Sequence, residues 1–127
     1  MEYIICFETD KFDAKKESAN DHNPIYGESL LLWLKDQLKE EAEITAPDAE
    51  DWGWYAYLQW KGKKYILCSS ASEEENGHYE WTLQVDKKRS LKEKLLRKEK
   101  MQKDDECLQY LHRLIENEAA FKGITVE

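Results

Sequence analysis

Residues 51–85 read DWGWYAYLQWKGKKYILCSSASEEENGHYEWTLQV, and this stretch decides the fold. Lys61-Gly62 separates two runs rich in aromatic and β-branched residues, the pattern of a tight β-hairpin. A two-residue loop of this kind needs positive φ, which glycine adopts without a Cβ clash. The register follows directly. Trp60 pairs with Lys63, Leu58 with Tyr65, Ala56 with Leu67 and Trp54 with Ser69. Opposed residues share a face. Trp54, Ala56, Leu58, Trp60, Tyr65 and Leu67 therefore lie on one side, with Tyr55, Tyr57, Ile66 and Cys68 on the other.

The third strand decides which side is the core. Tyr79, Trp81, Leu83 and Val85 alternate with His78, Glu80, Thr82 and Gln84, so this strand has one dry and one wet side. Its dry side joins the Trp54, Leu58 and Leu67 face. The opposite, mixed face is the candidate functional surface, centred on Tyr55 and Tyr57. SSASEEENGHY is expected to be a connecting loop, with a turn at Asn76-Gly77 and solvated carboxylates at Glu73, Glu74 and Glu75.

Working outward, Tyr3 to Glu8 is a short apolar run expected to form a strand, and Asp10 to Asn23 is a polar loop. Asn23-Pro24 caps a helix predicted from Ile25 to about Ala42, with Tyr26, Leu30, Leu31, Leu34 and Leu38 as its apolar stripe. Thr45 to Glu50 reads as a connection broken by Pro47. Ser90 with Glu93 forms a capping box for a second helix, whose apolar stripe of Leu91, Leu95 and Leu96 is thin. Asp104 caps a third helix that buries Cys107, Leu108, Leu111, Leu114 and Ile115. Ile124-Thr125-Val126 is a closing strand. The sum is one α+β domain over 1–127, ordered strand-helix-strand-strand-strand-helix-helix-strand. Its mainly antiparallel sheet has four to five strands, with helices on one face.

These segments, in particular IYGESLLLWLKDQL, EDWGWYAYL, KKYILC, HYEWTLQV and RSLKEKLLRK, resemble those of small bacterial proteins with a Glu-Asp-Trp-Gly-Trp signature and no assigned function. The resemblance spans nearly the whole chain and implies no catalytic residue. Its sharpest motif is Glu50-Asp51-Trp52-Gly53-Trp54, where a glycine between tryptophans points to close backbone approach or a bulge.

The 127 residues suffice for one core without staples. No apolar run reaches membrane-spanning length, and the acidic start MEYIICFETD lacks the basic region of a secretory signal. A cytoplasmic location is expected. Cys6, Cys68 and Cys107 are odd in number and scattered, which fits neither a disulfide framework nor a zinc cage. His22, His78 and His112 lack metal or catalytic spacing, and no glycine-rich phosphate loop is present. Neither cofactor nor metal is expected, and the chain reads as a non-enzyme.

The net charge of −8 is segregated. Lys87 to Lys103 holds nine basic residues against Glu93 and Glu99, a local balance of +7, so the remainder carries −15. Such asymmetry bears on partners and not on fold. The leading expectation is a protein-binding module that engages a basic partner through Tyr55, Tyr57, Glu73, Glu74 and Glu75. Its concrete version is an immunity-type protein neutralising a cationic toxin. A second reading lays the 87–103 segment on nucleic acid or an anionic membrane through Lys87, Lys88, Arg89, Arg97 and Lys98. The overall charge opposes nucleic acid. A third places a small ligand at the Tyr55 and Tyr57 face.

Overall fold

The computed structural model of the protein describes residues 3–74, 77–97 and 100–127. Among these the order is β1 (Tyr3–Thr9), a 3-10 turn (Ala14–Lys16), α1 (Glu28–Gln37), β2 (Glu43–Ile44), β3 (Asp48–Glu50), β4 (Gly53–Trp60) and β5 (Lys63–Glu73). Then come β6 (Tyr79–Lys87), α2 (Leu91–Leu95), α3 (Glu106–Glu116) and β7 (Lys122–Val126). The fold is α+β, and every strand pairing in its sheet is antiparallel.

Strands β4 and β5 pair in the register read from the sequence, from Trp60 opposite Lys63 to Trp54 opposite Ser69. The loop has the positive φ that a primed turn demands, 51° at Lys61 and 77° at Gly62. The sheet order is β2-β4-β5-β6-β1-β7, with β3 also paired to β4. The N-terminal strand thus fills the slot between β6 and the C-terminal strand.

The sheet is larger than the four to five strands expected, because two short strands form just before and within the 45–50 connection. Glu43 and Ile44 pair with Gln59 and Leu58, and Asp48 to Glu50 pair with Tyr55 to Gly53. Thr45 N–H still donates to the Tyr57 carbonyl at 2.9 Å, and the edge breaks at Ala46-Pro47, consistent with proline lacking the donor that a ladder needs. Strand β5 also runs on to Glu73, so five residues expected in a loop are ladder instead. Helix α1 is shorter than predicted. Its N-cap is Gly27 and not Asn23, since Tyr26 is drawn into the sheet, where its carbonyl accepts from Ala71 N–H at 2.8 Å. The α3 cap is Asp105, one residue beyond Asp104, with its carboxylate accepting from Cys107 and Leu108 N–H.

Leu30, Leu31, Leu34 and Leu38 at one helix and Cys107, Leu108, Leu111 and Ile115 at the other are buried in one cluster. That cluster includes Ile5, Phe7, Trp54, Ala56, Leu58, Tyr65, Leu67, Trp81, Leu83 and Val85, so both helices cover the same face of the sheet. Leu114 is only partly buried. Helix α2 contributes no buried residue, and Leu91 and Leu95 are each 74% exposed. Among the described residues no helix is long and apolar enough to cross a membrane.

Candidate functional site

The sheet face opposite the helices is built from residues outside the core cluster. Tyr55, Ile66, Cys68, Thr82, Gln84, Ile4 and Cys6 are half-buried there, while Tyr57 is exposed. One row runs from Asp48 through Tyr55, Cys68 and Gln84 to Ile4. A second runs from Tyr57 through Ile66 to Asp86. The alternation read from the sequence therefore places Tyr55 and Tyr57 on the uncovered side.

The Glu50–Trp54 motif forms one end of this face. Glu50 and Gly53 are paired, so Asp51-Trp52 is the turn between β3 and β4. Three contacts fix it from the 17–26 loop. Asn20 Nδ2 donates to the Glu50 and Gly53 carbonyls at 3.0 and 3.1 Å, and Asn23 Nδ2 donates to the Asp51 carbonyl at 3.0 Å. Gly53 has φ of 144°, and a Cβ there would sit 2.4 Å from the Ser69 carbonyl oxygen, so only glycine fits. Trp54 is buried and its Nε1 donates to the Ile25 carbonyl at 3.1 Å. Folding thus accounts for Gly53 and Trp54. It does not account for Trp52, a residue 45% exposed.

Trp52, Tyr55 and Tyr57 form a continuous strip, with centroid separations of 6.3 and 5.7 Å. The strip has unlike ends. At the Trp52 end lie Asp48, Glu50 and Asp51, with Tyr55 Oη 3.4 Å from Asp48 Oδ2. The Asp48 carboxylate, with smaller contributions from desolvation and Tyr57, holds the Tyr55 phenol above its ordinary value of 10.0. At the Tyr57 end, Lys88 Nζ stands 4.1 Å from the ring centroid, a cation–π contact. A cavity of about 390 Å³ beside Tyr57 is bordered by Ile44, Thr45, Leu58, Lys64 and Lys88.

Other residues singled out by the sequence fall elsewhere. Glu73 lies five positions along β5 from Cys68, the partner of Tyr55, roughly 17 Å away at about 3.3 Å per residue. Glu74 follows it at the tip, where its N–H donates to the His78 carbonyl, and Glu75 lies outside the described residues. Glu73 and Glu74 do not share a site with the tyrosines. The basic segment is also divided. Lys87 Nζ is 3.2 Å from Asp105 Oδ2, and their side chains are only 10% and 5% exposed. Lys88 joins the aromatic strip, Arg89 borders a cleft beside the β4–β5 turn, Arg97 follows α2 with φ of 57°, and Lys98 lies outside the described residues.

Asp48, Asp51 and Trp52 were missed by sequence reasoning. The Glu-Asp-Trp-Gly-Trp motif carried a partial signal: Trp52 and Trp54 would share the core face in an unbroken strand, but β4 begins at Gly53 and Trp52 is left in the turn. Each histidine has a carboxylate nearby: His78 Nδ1 is 2.9 Å from Asp10, His22 4.0 Å from Asp51 and His112 3.6 Å from Glu116. None of the three cysteines forms a disulfide. Burial, reinforced by the Asp105 carboxylate, pushes the Cys107 thiol up to about 12, which leaves it a packed apolar side chain at neutral pH. No family model, curated protein or solved structure matches this chain.

Proposed function

We propose that this chain is a non-enzymatic protein-binding module whose recognition surface is the helix-free sheet face, entered through Trp52, Tyr55 and Tyr57. The observation that carries the reading is the strip itself: three aromatic rings in sequence, two of them exposed, on a face that neither long helix covers. Rigid aromatics bring large contact area at low entropic cost, which is why they dominate protein interfaces. The carboxylates beside them are Asp48, Glu50 and Asp51, so the partner's matching segment is basic. A lysine or arginine of the partner would stack on Trp52 and meet Asp48 or Asp51. An immunity-type protein that neutralises a cationic toxin is the concrete form of this proposal. In the same proposal the chain is one of the small bacterial proteins that carry the Glu-Asp-Trp-Gly-Trp signature, acting in the cytoplasm.

The test is a paired capture experiment with the purified chain and three variants. Trp52→Ala with Tyr57→Ala should raise the dissociation rate of a captured basic protein, while Asp48→Lys with Asp51→Lys should lower its association rate. Glu73→Lys with Glu74→Lys, remote from the strip, should change neither by more than about twofold. Wild-type binding should weaken as salt rises, because screening shortens the reach of exposed charges to about 8 Å at physiological ionic strength. Capture that is equal for all variants would overturn the reading, as would recovery of nucleic acid in place of a basic protein.

A further inference from the structure

We infer that α2 and the residues just after it form a docking surface for an anionic lipid bilayer. The segment is an excursion fixed at both ends. Before it, Lys88 N–H donates to the Lys64 carbonyl at 2.9 Å and extends the β5–β6 ladder. After it, Met101 is buried in the core cluster. Between these points the leucines face outward. Leu91 and Leu95 are each 74% exposed, and Leu96 is 53% exposed. Among the described residues seven large apolar side chains are exposed, and three of them fall within 91–96. A single exposed leucine is ordinary, whereas a cluster ringed by charge marks an interaction surface.

Helix geometry sorts the charges around these leucines. Leu91 and Leu95, four positions apart, lie one above the other on the same side of α2. The helical turn then sets Lys92 and Lys94 on either flank of that line and Glu93 opposite it. Glu93 is half-buried, and its carboxylate accepts from Ser90 N–H at 3.0 Å in the capping box. Arg97 follows Leu96 and is exposed. The leucines thus have cations on both sides and the helix's one acid behind them. A segment lying in a membrane interface has this arrangement. Leucines enter the acyl boundary, and lysine stems run beside them while the ammonium groups stay level with the lipid phosphates.

A bilayer suits these residues better than a nucleic acid or a protein groove. Nucleic acid would engage the cations and leave three leucines in water. A groove that receives a helix reads anchors spread over two turns or more, and α2 has only five residues. A fluid surface accepts so short a cationic knob without matching its shape. The charge nearby is complementary to anionic lipid, since Lys61 and Lys64 border one cleft with Ser90 and Glu93. Of the carboxylates that begin α3, Asp105 stands against Lys87 and Glu106 against Lys61. The net charge of −8 does not oppose docking at this end. Asp48, Glu50 and Asp51 lie at the far end of β4, whose eight residues span about 23 Å at about 3.3 Å per step. Screening acts over about 8 Å at physiological ionic strength. The inference is independent of the basic partner proposed for the Trp52 end.

Vesicle flotation of the whole chain tests the surface, with phosphatidylcholine alone and with phosphatidylcholine mixed equally with phosphatidylglycerol. The chain is expected to float with the mixed vesicles and not with the neutral ones, and to be released as salt rises. Leu91→Ser with Leu95→Ser should weaken the partition at least about tenfold. Lys92→Gln with Lys94→Gln should weaken it about tenfold. Leu91→Phe with Leu95→Phe should retain it. All four side chains are exposed, so every variant should melt as the wild type does. Trp52→Ala, at the far end of the sheet, should float unchanged. The assignment is overturned if the wild-type chain fails to float, which would hand the leucines to a protein partner, or if it floats equally with neutral vesicles. Flotation that survives the serine pair, or that Trp52→Ala abolishes, would overturn it too. So would retention of a single-stranded oligonucleotide in place of the vesicles.

Discussion

On β4, Ala56 and Leu58 are sealed beneath helices while Tyr55 and Tyr57, their immediate neighbours, stand on the open side of the same sheet. The covered side is populated as volume demands: Trp81, Leu67, Leu83, Val85 and Ile5 are essentially inaccessible and carry no charge. The open side mixes aromatic, charged and hydroxyl residues, with contacts such as Tyr55 to Tyr57 and Lys88 over the Tyr57 ring. Burial of apolar surface therefore fixes the identity of one face, while the other is free to be set by whatever meets it. Chemistry that does not serve folding is found on the second face and at the sheet ends.

The sharpest way to break this comparison is to truncate one large aromatic on each side. Trp81→Ala should cost about 4 kcal/mol, through lost transfer energy and a cavity that the packed surroundings cannot fill. Tyr57→Ala should change stability by less than about 1 kcal/mol, since its ring is already exposed. Denaturant unfolding measures both. Equal losses would mean that the open face is structural and would remove the ground for assigning it to recognition.

Asp105 sharpens the comparison, because it is a charge on the covered side. Its carboxylate caps α3, accepts from Tyr65 Oη at 3.2 and 3.0 Å, and pairs with Lys87. Asp105→Ala should destabilise by about 3 kcal/mol, as it removes the α3 cap, the Tyr65 acceptor and the carboxylate beside the nearly buried Lys87. Adding Lys87→Met should recover part of that loss, because a nearly buried charge that has lost the Asp105 carboxylate is then replaced by an apolar side chain. A double variant no more stable than the single one would show that the cap and the tyrosine bond, and not the ion pair, carry the effect.

The difference between the faces also explains what the residues disclosed. The β4–β5 register was readable because Lys61-Gly62 fixes the turn and a two-residue period fixes the sides. The same period separated Trp81, Leu83 and Val85 from Thr82 and Gln84. Strands β2 and β3 were not readable, since two or three residues on either side of Pro47 carry no periodic signal and pair only because β4 offers an edge. The start of α1 was misjudged because a long-range bond between Tyr26 and Ala71 overrides a good local cap. The site was half legible. Tyr55 and Tyr57 followed from alternation, but the carboxylates beside them depend on strand pairing. Glu73 and Glu74 are nearer to Tyr57 in sequence than in any sense that the sheet preserves.

The smallest expected effect lies at the rim, where His78 precedes β6 and neither face governs. His78 Nδ1 is 2.9 Å from Asp10 Oδ1, and this hydrogen bond, followed by the attraction of the same carboxylate, raises the imidazole above its ordinary 6.5. A raised value in the folded state means that folding favours the protonated ring. The resulting stabilisation is complete below pH 6.5 and is lost as pH rises through the raised value. The contact is solvent-exposed, so the slope of melting temperature against pH should be shallow. Asp10→Asn should flatten it and return the imidazole titration, followed by proton NMR, toward 6.5. If His78 in the wild-type chain already titrates at 6.5, the pair is absent in solution. The rim then joins the open face as a surface whose residues are not held by the fold.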